Sequence, residues 1–214
     1  MTQYYISMEE ELQYERKSYT EELKEKDWQY LKESGELFLM HAFSHLFETT
    51  LVGYEVFGDT NYKIKYSQFY LNLAVGLELL LKSILLKRGV KINLSPERTM
   101  QFGRIIEKHL DKIFPRLRQN TLREIKHTLE LINVKRNNIA HRSKRSYDHY
   151  AYEYRFSYVT LYIYEEFFYG ENPELIKLLL ESIDRSEITT GSDFKPLRIK
   201  PKSLRKQTSQ KNNP

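Results

Sequence analysis

An all-α fold follows from three observations on this 214-residue chain. Glycine and proline are scarce, at eight and six residues, so the turn punctuation of a strand-rich protein is missing. Leu, Glu, Lys and Tyr fill long stretches in which apolar residues recur at the helical i, i+3, i+4, i+7 period. Apolar residues make up 40% of the chain and charged residues 29%, which suits one globular body with a full core. The expected architecture is an up-and-down helical bundle spanning residues 1–186, followed by a basic, disordered tail at 187–214.

Residues 6–33 predict a first helix, rich in charged residues with i,i+4 pairs such as Glu22 and Lys26. Its apolar stripe is thin, which puts it on the outside of the bundle as an N-terminal extension. A second helix over 34–57 carries Leu37, Met40, Phe43, Leu46 and Phe47 and stops near Gly53 and Gly58. The third, over 62–88, places Tyr66, Phe69, Tyr70, Leu73, Leu77, Leu80, Leu81 and Ile84 on one face. Leu71, Val75, Leu79, Leu85 and Leu86 cover its other faces, so this is the expected central helix, closed by Gly89.

A short helix over 101–111 ends before Pro115, and another over 119–141 turns Leu122, Ile125, Leu129 and Ile132 inward. An aromatic helix over 147–169 and a last one over 173–185, with Pro173 in its first turn, complete the body. Thr189, Thr190, Gly191, Ser192, Pro196 and Pro201, set among lysines, read as tail.

Composition excludes several function classes. Without cysteine there is no disulfide framework, thiolate nucleophile or Cys-based zinc site. The first residues lack the basic-then-apolar layout of a signal peptide. The longest apolar run, Leu77 to Leu86, contains Glu78 and Lys82 and is too short to span a bilayer. A cytoplasmic protein with no membrane partner is the expectation. Seven cations against two acids in 187–214 carry the whole net charge of +5, so residues 1–186 are formally neutral. The basic pI thus describes the tail and is no sign that the body binds nucleic acid. No phosphate-cradling glycine motif or Gly-x-Ser-x-Gly is present, so nucleotide hydrolysis and serine esterase chemistry lack support.

The run Lys135-Arg136-Asn137-Asn138-Ile139-Ala140-His141-Arg142 is where chemistry concentrates. Arginine is a fixed, forked anion binder, and histidine exchanges protons near neutrality. Extending the inward stripe Leu122, Ile125, Leu129, Ile132 by one turn lands on Arg136, an unusual residue for an apolar face unless it is paired or points into a cleft. Asn137 lies about 100° round the helix from Arg136, and His141 about 40° further. Arg136 and His141 therefore diverge, and meet on one ligand only if the helix ends near Ala140 or a second chain contributes. Cations in a last helical turn also have an ordinary role, facing the negative end of the helix dipole.

Arg136-Asn137-x-x-Ala140-His141 resembles the Arg-x4–6-His signature of the HEPN superfamily. The string Ala74-Val75-Gly76-Leu77-Glu78-Leu79-Leu80-Leu81-Lys82 is similar to the first core helix of such domains, and the resemblance covers residues 35–170. It implies a metal-independent endoribonuclease, without cofactor, working as a homodimer whose two motifs face each other in a composite cleft. In that reading the 2′-OH of RNA attacks the adjacent phosphorus, leaving a 2′,3′-cyclic phosphate and a 5′-OH. His141 acts as general base or acid, Arg136 holds the phosphate oxygens, and Asn137 orients His141 or donates to the phosphate. Lys135, Arg142, Lys144 and Arg145 add affinity for the RNA backbone.

The superfamily often carries an acid near the site on the central helix, which points to Glu78; an i,i+4 pair with Lys82 is its ordinary role. The resemblance also implies a toxin or defence effector held in check by an antitoxin or other regulatory protein. The alternative is a noncatalytic HEPN-like dimerisation module in which Arg136 and His141 bind a nucleotide or a protein; a bare helical scaffold is a third reading. Among lesser features, His41 and His45 share a helix face but lack a third ligand, so no metal site is expected. Tyr147, Tyr150, Tyr154, Tyr158 and Tyr162 form a stripe suited to core or interface packing, with Tyr147 and Tyr150 placed to stack bases near His141.

Overall fold

The segment with apolar residues on every face becomes the middle of the molecule. In the computed structural model, which describes residues 27–51, 53–95, 98–142, 151–190 and 199–205, the described residues are predominantly helical. Helix α1 (Trp28–Leu51) is followed by the long α2 (Gly53–Lys87). A short antiparallel hairpin, β1 (Asn93–Ser95) and β2 (Arg98–Thr99), pairs Asn93 with Thr99. Then come α3 (Phe102–Lys108), α4 (Leu110–Ile113), α5 (Gln119–Arg142), α6 (Ala151–Phe168) and α7 (Pro173–Thr190).

Helix α2 buries Leu73, Ala74, Leu77, Leu80, Leu81, Ile84 and Leu85 and packs against α1, α3, α4, α5 and α6. Its stretch Tyr66–Lys87 is long and apolar enough to cross a membrane, further than the Leu77–Leu86 run suggested, yet it is mostly buried among the other helices. The α1–α2 crossing is set by two glycines. A Cβ on Gly76 would come within 2.7 Å of the Leu39 Cγ and 3.0 Å of the Gly35 carbonyl oxygen, so backbone lies against backbone there. Edge-to-face aromatic contacts then run Phe43–Phe69, Phe69–Tyr70 and Tyr70–Phe156, at 5.8, 5.2 and 5.9 Å, linking α1, α2 and α6.

One polar knot, buried except at Glu171, joins α1 to α6 and to the turn that precedes α7. Lys32 lies 3.1 Å from Glu36 and 2.8 Å from Glu171, while the Tyr164 hydroxyl donates to Glu36. Burial works against the charge on Lys32, but its bonds to Glu171 and Glu36 outweigh it and hold the pKa above its usual value. Burial likewise raises the pKa of the Tyr164 phenol. Asn172 caps α7 by accepting the Leu175 N–H at 3.0 Å, with Pro173 behind it in the first turn.

The described structure departs from the sequence expectations at several points: α7 runs on to Thr190, so residues 187–190, expected as tail, are helical, and a short hairpin stands among the helices. Where a boundary between helices was expected at 33/34, α1 runs straight through, with Gly35 packed against Gly76 and Leu80 of α2. The stop expected near Gly53 is present, since α1 ends at Leu51 and α2 begins at Gly53, but Gly58 ends no helix and lies within α2. Residues 199–205, expected to be disordered, are packed onto α6. Ile199 is buried, Lys202 donates to the Glu165 carbonyl at 3.0 Å, and the Ser203 N–H donates to the Glu165 carboxylate at 3.1 Å. A buried acid on α6 thus captures this part of the basic segment.

Gly76→Ala is expected to destabilise the protein by about 1–3 kcal/mol in urea unfolding, since Leu39 and the Gly35 backbone leave no room for a methyl group. An unchanged midpoint would show that the crossing is loose. Lys32→Met, which leaves Glu36 buried beside Tyr164, is expected to cost about 3 kcal/mol at neutral pH. The raised pKa of Lys32 stabilises the fold fully below the unfolded value of 10.5, and that stability is lost as pH rises through the folded value. Wild type should therefore lose stability more steeply than Lys32→Met above pH 10.5, and parallel declines would exclude this coupling.

Candidate active site at the Glu78–Arg136 contact

Two helices deliver the central pair. The close crossing at Gly76 fixes α2 just before Glu78, and the buried stripe Leu122, Ile125, Leu129, Ile132 of α5 continues one turn to Arg136. The Arg136 Nη1 lies 3.8 Å from the Glu78 Oε2, with side chains 33% and 15% exposed. The other carboxylate oxygen, Oε1, accepts from the Lys82 Nζ at 2.7 Å, and Lys82 also donates to the Thr99 hydroxyl at 2.9 Å. Glu78 is thus the i,i+4 partner of Lys82, the ordinary role expected of it, and it also lies beside Arg136.

This geometry decides what Arg136 can do. At 3.8 Å the contact is an ion pair longer than a hydrogen bond, so Glu78 attracts the guanidinium without occupying its forked donors. One carboxylate between two cations leaves the cluster net positive. Such an arrangement aims an arginine and leaves it able to bind an anion.

The neighbouring residues divide sharply. Lys135 is half-buried, its Nζ 5.9 Å from the centre of the Tyr70 ring, and burial lowers its pKa. It leans on the body of the protein and does not stand out in solvent. Asn137 is half-buried on α5. His141 and Arg142 belong to α5, but their side chains lie outside the described residues, as do Lys144, Arg145, Tyr147 and Tyr150.

Because α5 stays helical through Arg142, the backbone does not turn His141 back toward Arg136 by ending near Ala140. Their directions on the helix differ by about 140°. Of the two routes to convergence, a second chain is the one this backbone leaves open.

The tyrosine stripe turns inward where it is described. Tyr154, Tyr158 and Tyr162 are buried, and the rings of Tyr154 and Tyr158 lie 5.4 Å apart. His41 is exposed on α1, the side chain of His45 lies outside the described residues, and no group of three or more acids or histidines forms a metal site among the described residues. Sequence reasoning missed Thr99, because the hairpin that brings it to Lys82 has strands too short to show periodicity. No protein-family model matches the chain, and no curated protein or solved structure matches it.

A double-mutant cycle in urea tests whether Arg136 is held for structure or for a ligand. Glu78→Ala should cost about 2–4 kcal/mol because Lys82, 8% exposed, loses its carboxylate. The coupling of Glu78 to Arg136 should stay below about 1 kcal/mol, as expected for a long, partly solvated pair. A coupling to Arg136 as large as that to Lys82 would make the arginine a structural residue.

Proposed function

We propose that this protein is a metal-independent endoribonuclease of HEPN type, acting as a homodimer with a composite cleft. The observation that carries the proposal is the Glu78–Arg136 contact, which holds a partly exposed guanidinium on the same helix as His141. Arg136 would take the phosphate oxygens and stabilise the charge that builds on them during attack by the 2′-OH. His141 would move the proton, suited by an unperturbed imidazole pKa of about 6.5. The angular separation on α5 favours a dimer, since one chain would supply the arginine and its partner the histidine to each phosphate. Val134, 52% exposed two residues before Arg136, offers apolar surface for such an association. Cleavage of cellular or invading transcripts would suit a toxin or defence effector under the control of a regulatory protein.

The second reading, a noncatalytic nucleotide- or protein-binding module, draws on the same contact: an arginine beside a carboxylate also serves to fix two helices. Purified protein incubated with total RNA in EDTA separates them. Arg136→Ala and His141→Ala should each lower cleavage by about 10²–10⁴-fold, with wild-type products ending in 2′,3′-cyclic phosphate. Equal cleavage by wild type and both variants would remove the site from consideration. If neither variant cleaves alone but their mixture recovers part of the activity, the cleft is shared between chains.

A further inference from the structure

The segment 199–205 creates a feature at the opposite end of α5 from Arg136. Where it docks, a cavity of about 400 Å³ opens, bordered by Arg116, Arg118, Tyr162, Lys200 and Arg205 together with Asn120 and Thr121 in the first turn of α5. Its volume lies in the range of small-molecule sites. Four cations from two separate chain segments border it, and among the described residues no carboxylate does. Glu165 and Glu166 border a smaller adjoining cavity that shares Tyr162, Lys200 and Arg205 with it. Glu165 is engaged by Ser203, and neither acid borders the larger cavity.

Such a gathering of like charge opposes the docking that produces it. The cost is offset by specific contacts, since Ile199 is buried and the Ser203 N–H bonds to Glu165. The chain is thus held so that Lys200 and Arg205 border the same space as Arg116 and Arg118. Cations gathered around one space suit a compact anion, whereas a nucleic-acid backbone is tracked by cations in a row. The first-turn N–H groups of α5 add to the same positive field. Tyr162 contributes a phenol that burial and Glu166 keep protonated, with Arg205 working the other way, so it stands as a donor.

We propose that this cavity binds a small ligand carrying a phosphate monoester or diphosphate, and that the ligand fastens segment 199–205 onto the body. The site is about 24 Å along α5 from Arg136, so the proposal is independent of the ribonuclease reading. Binding would link ligand level to the position of the basic segment, because an anion that binds only the docked form stabilises it.

Isothermal titration of the full-length protein with inorganic pyrophosphate, and separately with adenosine 5′-diphosphate, tests this. One ligand per chain is expected, with affinity falling about tenfold or more in each of Arg118→Gln, Lys200→Gln and Arg205→Gln. Lys177→Gln, a surface change on α7, should leave affinity unchanged, and thermal melting confirms that each variant is folded. Tighter binding of adenosine 5′-diphosphate than of pyrophosphate would identify a nucleotide as the source of the phosphate, and equal binding a simple phosphate compound. The proposal fails if neither probe binds at millimolar concentration, or if the four variants weaken binding equally. It also fails if a 5′-hydroxyl oligonucleotide binds more tightly than either probe and depends on Arg123 and Arg155 in the neighbouring groove, because the cavity would then be part of an RNA track.

Discussion

The approach of Gly35 to Gly76 is the constraint from which the other placements follow. With side chains absent at both positions, α1 and α2 touch backbone to backbone, and the long apolar helix is pinned along one side. Its remaining faces then accept α3, α4, α5 and α6, and the bundle closes around it. The register of α2 is fixed two residues before Glu78, so the acid's position is a consequence of packing. A contact between carbonyl and Cα has no rotamer freedom, and an acid so close to it inherits that rigidity.

Rigidity at Glu78 matters because the carboxylate serves two cations. Lys82 takes the short bond and is tied to the hairpin through Thr99; Arg136 is left with the longer contact. The division of labour has a physical basis. A lysine that is nearly buried needs full compensation, whereas a partly exposed arginine keeps water as an alternative. The lysine branch is therefore the short, nearly buried one and the arginine branch the longer, partly exposed one, although a single acid supports both.

Much of this was legible in the sequence. The all-round apolar character of residues 66–86 gave the central helix, and the stripe from Leu122 to Ile132 led to Arg136 and its unusual inward position. What stayed hidden was governed by contacts distant in the chain. The boundary expected at 33/34 does not form, and the packing of Gly35 against Gly76 there is a contact that local propensity cannot register. The basic segment looks disordered by composition because Glu165, which captures Ser203, lies 38 residues away. The Glu78–Lys82 pair was readable from i,i+4 spacing, while Thr99 depended on a hairpin without a periodic signal.

The polar knot of Lys32, Glu36, Tyr164 and Glu171 has a consequence for how the chain reaches this state. Glu36 and Tyr164 are 128 residues apart, whereas α1 and α2 are consecutive and meet through contacts close in the chain. The α1–α2 hairpin can form early with Glu36 still hydrated. Its carboxylate loses water only when α6 arrives with the phenol that replaces it. The knot thus joins parts of the chain that only long-range closure can bring together.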